Sequence, residues 1–458
     1  MLRLGHRFLH SLHIPLRMTR LSNGLKVVSQ FRAGESATVG MSVRAGSRYE
    51  NDMNNGVAHF LEHTVFKGSE KRSERVLEKE AESMGAQLNA FTSRDMTAYF
   101  VRLMGKDAAW GVDVVTDILS KPLLSKTALD RERNVILAEA TEVDHQYREV
   151  IFDVLHENVF SGESLARTVL GPASNIQSMT REQIREYLNK YYIPRRMVFG
   201  ACGPIAHEKL VDWVAESFGT SVAGEINVGS EETTIDAHRL LKEEEETTGI
   251  CHFRGGIDAR VARPDTPFAH VLLAVEGPTH SSPDFVVFEI LRTLIGSYDT
   301  QGGSMDGIMS PFLRPYVADG LADGILPFVV PYRETGVFGL YLYGNPSSVR
   351  EMVSKMYKDW MGLCLSITED ELQRVKSRVK SMYLLSLEDT MLTWESFGRQ
   401  ITTIGRSVPP HEWFARLDAV DLEHVQSVAD RYFHPDRMSM AVMGQIANVP
   451  SLQELVKS

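Results

Sequence analysis

The sequence predicts an α+β protein of two homologous domains, each a mixed, mainly antiparallel sheet with helices packed on one face. Three observations carry this. The chain of 458 residues is long for one domain. Short strands with hairpin turns are mixed with amphipathic helices. The second half also repeats the first. NAFTSRDMTAYFVRLMGKDAAWGVDVV aligns with LPFVVPYRETGVFGLYLYGNPSSVREMV, so that Arg94 and Gly105 recur as Arg333 and Gly344, 239 residues later. YYIPRRMVFGACGPI aligns with YFHPDRMSMAVMGQI, pairing Pro194 with Pro435, Arg196 with Arg437 and Gly203 with Gly444, each 241 apart. So long a period means two domains rather than a solenoid.

The elements follow in order. Asn23-Gly24 supplies a hairpin turn, since both residues tolerate positive φ. Ala37 to Val43 alternates as a strand, and Glu50 to Asn55 is a polar loop. Gly56 opens VAHFLEHTVF, a buried helix. Ser73 caps a helix that Gly85 ends. Gln87 to Val101 holds two strands around Ser93-Arg94-Asp95. Helices are expected over Lys106–Leu119, Leu129–Tyr147 and Arg148–Val159, and over Thr180–Tyr191 behind a Thr180/Gln183 capping box. Met197 to Cys202 is a strand. Residues 224–249, with four glutamates at 243–246, have the composition of a solvated linker. The expected domains are therefore 19–223 and 250–458.

Composition narrows the function. Hydrophobic residues make up 43% of the chain, enough for a real core, and no run of apolar residues is long enough to cross a membrane. The net charge of −11 disfavours nucleic acid as a partner and suits basic ones. Cys202, Cys251 and Cys364 are too scattered for a disulfide frame or a cysteine metal site, which points to a reducing compartment. Residues 1–17 carry Arg3, Arg7 and Arg17 and no acid, with Leu9, Leu12 and Leu16 at helical spacing. That is the pattern of a mitochondrial transit peptide, assigned to residues 1–18.

The stretch His59-Phe60-Leu61-Glu62-His63 carries the chemistry. H-x-x-E-H inverts the commoner H-E-x-x-H zinc signature. On a helix, residues i and i+4 have Cβ atoms about 5–6 Å apart, so both imidazoles can reach one ion. Glu62 lies beside them, placed to take a proton from water. A catalytic zinc needs a third protein ligand. The helix after Leu129 offers Glu132, Glu139 and Glu142, and spacing alone does not choose among them. The segment that aligns with the motif in the second half, VVFEILRTLIGS, has Glu289 and Arg292 but no histidine pair.

These segments resemble the pitrilysin-type inverted zinc peptidases, and within them the beta-subunit family of the mitochondrial processing peptidases. LSNGLKV, NNGVAHFLEHTVFKGS, MGAQLNAFTSR, RERNVILAEATEV, TVLGPASNI, ETGVFGLY and IGRSVPPHEWFARL carry the resemblance, which spans nearly all of the chain after residue 18. It implies a LuxS/MPP-like metallohydrolase fold and one zinc ion per chain held by His59, His63 and Glu139. It implies Glu62 as the catalytic base and Glu132 as a second glutamate supporting catalysis. Glu149 and Asp153 would receive an arginine of a basic presequence, and Phe66 would line the pocket beyond the scissile bond. Asn89 and Ala90 would lie on the edge strand to which substrate adds. The same resemblance implies a separate alpha-type partner, because Gln301–Gly307 is too short and glycine-poor to be that subunit's glycine-rich loop. It also implies a place in the mitochondrial matrix. The competing expectation is a core structural subunit of respiratory complex III.

Overall fold

The computed structural model describes residues 15–226, 239, 242, 246–303 and 310–457. Residues 1–14 of the expected leader, most of the acidic linker and residues 304–307 of the short glycine-containing loop lie outside them. Two compact units interleave along the chain. The first runs through Ala140, resumes over Arg167–Gly249 and returns at Leu384–His411; the second holds Thr141–Ala166, Ile250–Tyr383 and Glu412–Ser458.

The first unit is built on seven strands: β1 (Leu16–Leu21), β2 (Lys26–Phe31), β3 (Ser36–Val43), β4 (Gln87–Thr92), β5 (Thr97–Met104), β6 (Met197–Gly203) and β7 (Val222–Ile226). Their order is β4-β5-β3-β6-β2-β1-β7. All neighbours are antiparallel except β2 and β6. Gly24, at φ 93°, makes the turn between β1 and β2. Two expected boundaries shift. The leader boundary after residue 18 cuts β1, whose Met18 is fully buried, and the linker's Gly224–Ile226 is edge strand paired with β1.

The alternation of β3 decides its two faces. Ala37, Val39, Met41 and Val43 enter the main core. Thr38 and Ser42 point the other way yet are equally buried. A helix from the second half of the sequence, Thr390–Ile404, covers that face. It sets Trp394 and Phe397 against Met18, Val28, Phe100 and Val198, and the Trp394 indole donates to the Gly200 carbonyl at 3.1 Å. A Cβ on Gly40 or Gly200 would come within 2.6–2.7 Å of the Trp394 ring, so the glycines permit this approach. The expected contiguous domains therefore give way to units that exchange helices, because each sheet needs a second apolar cover.

The helices that frame the site are α1 (Val57–Val65), α2 (Glu74–Met84), α3 (Ala108–Ser120), α4 (Lys126–Val143) and α5 (Tyr147–Val159). Ser73 caps α2 and Gly85 ends it in the left-handed region, and the Thr180/Gln183 capping box forms. The helix expected over 129–147 stops at Val143. The His145 and Gln146 amides bond back to the Glu142 and Val143 carbonyls, and α5 starts afresh.

The second unit has β8 (Asp258–Ala262), β9 (Ala269–Glu276), β10 (Tyr298–Asp299), β11 (Gly324–Pro331), β12 (Gly336–Gly344) and β13 (Ser439–Gly444), in the order β10-β11-β12-β9-β13-β8. The run β12-β9-β13-β8 repeats β5-β3-β6-β2, including the one parallel pair. Arg94 and Arg333 both sit in the turn before the matching strand. Helix α5 contributes Ile151, Leu155 and Val159 to this unit's core.

Candidate active site and metal centre

Helix α1 is fixed at its start by a buried carboxyl group. Gly56 enters at φ 100°, where a Cβ would meet the Leu170 carbonyl at 2.6 Å. Glu50 then takes the exposed donors of the first turn: its Oε2 accepts from Gly56 N at 2.8 Å and Asn55 Nδ2 at 2.7 Å, and its Oε1 from Ala58 N at 2.8 Å. A helix N-terminus favours such an acceptor. Burial pushes the Glu50 carboxyl up to about 8 against the pull of those donors. The polar loop Glu50–Asn55 gave no sign of this role, since nothing in its spacing distinguishes Glu50 from its neighbours.

Val57, Ala58, Phe60, Leu61 and Val65 turn into the core, which leaves His59, Glu62 and His63 on the remaining face. The two imidazole rings stand 4.7 Å apart, edge to face. Helix α4 brings its acids alongside. Glu139 Oε2 is 3.2 Å from His63 Nε2 and 3.7 Å from His59 Nε2. Among the described residues this is the group that could hold a metal, with its ligand atoms within 4.8 Å of one another. Ligand atoms about 2.0–2.1 Å from a tetrahedral zinc stand about 3.3–3.4 Å apart, so the three donors fit the ion. Glu139 Oε2 is also buried without a hydrogen bond, the condition a cation would relieve.

Electrostatics agree with that reading. Burial, helped by the neighbouring His63, brings His59 down to about 4, so it is a neutral imidazole with a free lone pair. Burial also acts to lower His63, but Glu139, Glu62 and Glu132 together raise it. The adjacent His63, then His59, hold Glu139 below the usual carboxylate range despite its partial burial. Glu62 is raised, first by burial, while a hydrogen bond from Thr92 and the charge of His63 pull it back.

Glu132 stands outside the trio of candidate ligands. It is 4% exposed, with Oε2 3.6 Å behind His63 Nδ1 and Oε1 3.4 Å from Lys67 Nζ. From there it is placed to orient the His63 ring. Glu142 is exposed and stands outside the cluster. Phe66 is half-buried with its ring 6.3 Å from that of Tyr99. Asn89 is exposed and Ala90 half-buried on β4, the sheet's edge, where β5 is the neighbour on one side only. Glu149 and Asp153 lie four apart on α5, one exposed and one half-buried, and belong to the second unit. Helix α6 (Phe285–Ile295), which carries the segment aligned with the motif, pairs Arg292 with Glu289 at 2.7 Å instead of presenting ligands.

Residues 26–173 match the family model described as Insulinase (Peptidase family M16), and residues 178–379 the one described as Peptidase M16 inactive domain. The chain belongs to peptidase family M16. Within it, the chain is 36% identical to mitochondrial-processing peptidase subunit beta of Pongo abelii, over 97% of this chain and 88% of that one. The subunit beta of Homo sapiens is also 36% identical, with the same coverage. Cytochrome b-c1 complex subunit 1 of Bos taurus is 34% identical over 96% of this chain and 88% of that one. A chain of complex III2 from Candida albicans superposes with a TM-score of 0.80 at 19% identity, covering 97% of this chain and 99% of that one. A protease from Helicobacter pylori does so at 0.79 and 19%, covering 94% and 99%. These two establish the α+β fold of paired homologous domains.

Proposed function

We propose that this chain is the zinc-bearing catalytic subunit of a metalloendopeptidase that removes basic N-terminal presequences from precursors imported into mitochondria. The observation that carries the proposal is the convergence of His59, His63 and Glu139 within one ligand sphere, with Glu62 free of it on the same helix face. A zinc ion bound there would supply Lewis acidity, activating water and polarising a peptide carbonyl. Glu62 accepts the proton of the attacking water and returns it to the departing amine. Glu132 steadies His63 from behind. The free edge of β4, at Asn89 and Ala90, offers main-chain groups to an extended substrate, and Phe66 borders the space beyond the scissile bond. Glu149 and Asp153 suit an arginine guanidinium, which pairs well with carboxylates. Likeness to the beta subunits supports an alpha-type partner and the matrix as the site of action. No described helix is long and apolar enough to cross a membrane.

A second reading rests on the likeness to cytochrome b-c1 complex subunit 1: a core structural subunit of respiratory complex III, with or without peptidase activity. Glu62→Gln tests the first reading. The variant should hold zinc in the wild-type ratio and lose presequence cleavage. Normal cleavage would overturn the assignment of the base. Purification of the native complex separates the readings, since an alpha-type chain alone supports the peptidase and cytochromes support the core subunit.

A further inference from the structure

We infer that Thr92 is a positioning residue that fixes the catalytic base, an inference that rests on the peptidase reading above. Thr92 is the last residue of β4, and its Oγ1 donates to Glu62 Oε2 at 2.5 Å. That oxygen is thereby committed to Thr92, which leaves Oε1 as the oxygen for the proton transfer assigned to Glu62. The carboxylate would otherwise swing about its side-chain torsions, since none of its neighbours on α1 holds it.

The threonine proton has little competition. The second oxygen within its reach is Thr97 Oγ1, at a long 3.4 Å. Thr97 gives its own proton to the Ala45 carbonyl at 2.7 Å and is fully buried on β5, across the sheet from Thr92. Behind it, the buried hydroxyls of Tyr99 and Tyr192 meet at 2.8 Å. Thr92, Thr97 and Tyr99 all belong to the hydrogen-bonded pair β4–β5, and Tyr192 backs them from the end of the helix Arg181–Tyr191, so the Thr92 hydroxyl is presented to Glu62 from a well-packed base. A hydroxyl-to-carboxylate bond of this length is among the stronger hydrogen bonds. The same strand offers its outer edge to substrate. One element therefore sets both where an extended peptide lies and which way the base points. Misplacing a base by about 1 Å costs on the order of 100-fold in rate.

The test compares Thr92→Val, which keeps the shape and removes the hydroxyl, with Thr92→Ser, which keeps the hydroxyl. Both are made in the full chain with its alpha-type partner, assayed on a fluorogenic presequence peptide, and checked for zinc content and melting temperature. Thr92→Val should lower kcat about 10- to 100-fold while KM and zinc content stay near wild type, and Thr92→Ser should recover most of the loss. Wild-type kcat in Thr92→Val, or equal loss in both variants, would overturn the inference. If Thr92→Val does not fold, Thr92→Ala is read by the same criteria. Glu62→Gln is run alongside: normal cleavage there defeats the peptidase reading itself, whereas a dead Glu62→Gln beside an active Thr92→Val defeats only the role of Thr92.

Discussion

Two glutamates on one face of α4 show what a single side chain decides. Glu132 and Glu139 are seven residues apart, so helical spacing puts both toward α1 and cannot rank them. Packing ranks them: Glu139 faces both Nε2 atoms, whereas Glu132 is buried behind the Nδ1 of His63. We therefore expect Glu139→Gln to abolish stoichiometric zinc binding. Glu132→Gln should weaken zinc affinity or activity by about 10- to 100-fold, the usual cost of losing a group that orients a metal ligand. A competition titration with a zinc chelator measures both, and equal affinity losses would contradict the division of roles. Glu62→Gln should leave that titration unchanged while cleavage falls about 100-fold or more. The histidine pair and its glutamate were legible because their geometry is local, set by one helical turn. Thr92 and Glu50 were not, because each meets α1 only after the chain has folded back over 30 and eight residues respectively.

At the scale of the element, α1 is held more firmly than its nine residues would allow alone. Glu50 replaces the missing first-turn acceptors and closes the entry at Gly56. Replacing it by glutamine leaves one of three donors facing an amide N–H, an expected loss of about 1–3 kcal/mol. The pH dependence has a definite sign. The folded Glu50 pKa, about 8, lies above the ordinary carboxyl value of 4.5, so folding takes up a proton between these limits. Its contribution to stability is complete below the unfolded value and is lost as pH rises through about 8. Wild-type melting temperature should thus fall across that window more steeply than that of Glu50→Gln, and parallel curves would contradict the assignment. Strand β3 marks the limit of pattern reading at this scale. Thr38 and Ser42 alternate with apolar residues as if one face met water. Both are buried under the helix Thr390–Ile404, where the Thr38 hydroxyl meets that of Thr390 at 2.9 Å and Ser42 lies against Gly398.

Over the whole molecule, the duplication fixed the number of domains and the strand plan of each, and these could be seen in aligned residues such as Gly203 and Gly444. The exchange of helices could not, since a repeat gives the likeness of two sheets and not the origin of the helix covering each. The exchange has a direct consequence for stability. A chain ended at Gly249 keeps every strand of the first sheet and all of His59, Glu62, His63 and Glu139. It loses Thr390–Ile404, and with it Trp394, Phe397 and Ile401 from the second face. Met18, Val28, Ala98, Phe100 and Val198 would then meet solvent. Removing the Trp394 side chain alone from the full chain should cost about 3–5 kcal/mol, a large part of the stability of an ordinary domain. We therefore expect the truncated chain to aggregate or to bind a hydrophobic dye, and to take up zinc poorly despite its complete ligand set. Adding a peptide of residues 384–411 should restore part of the fold by covering that face. A soluble, cooperatively melting truncated chain with full zinc content would show that the first sheet does not need the helix lent by the other half.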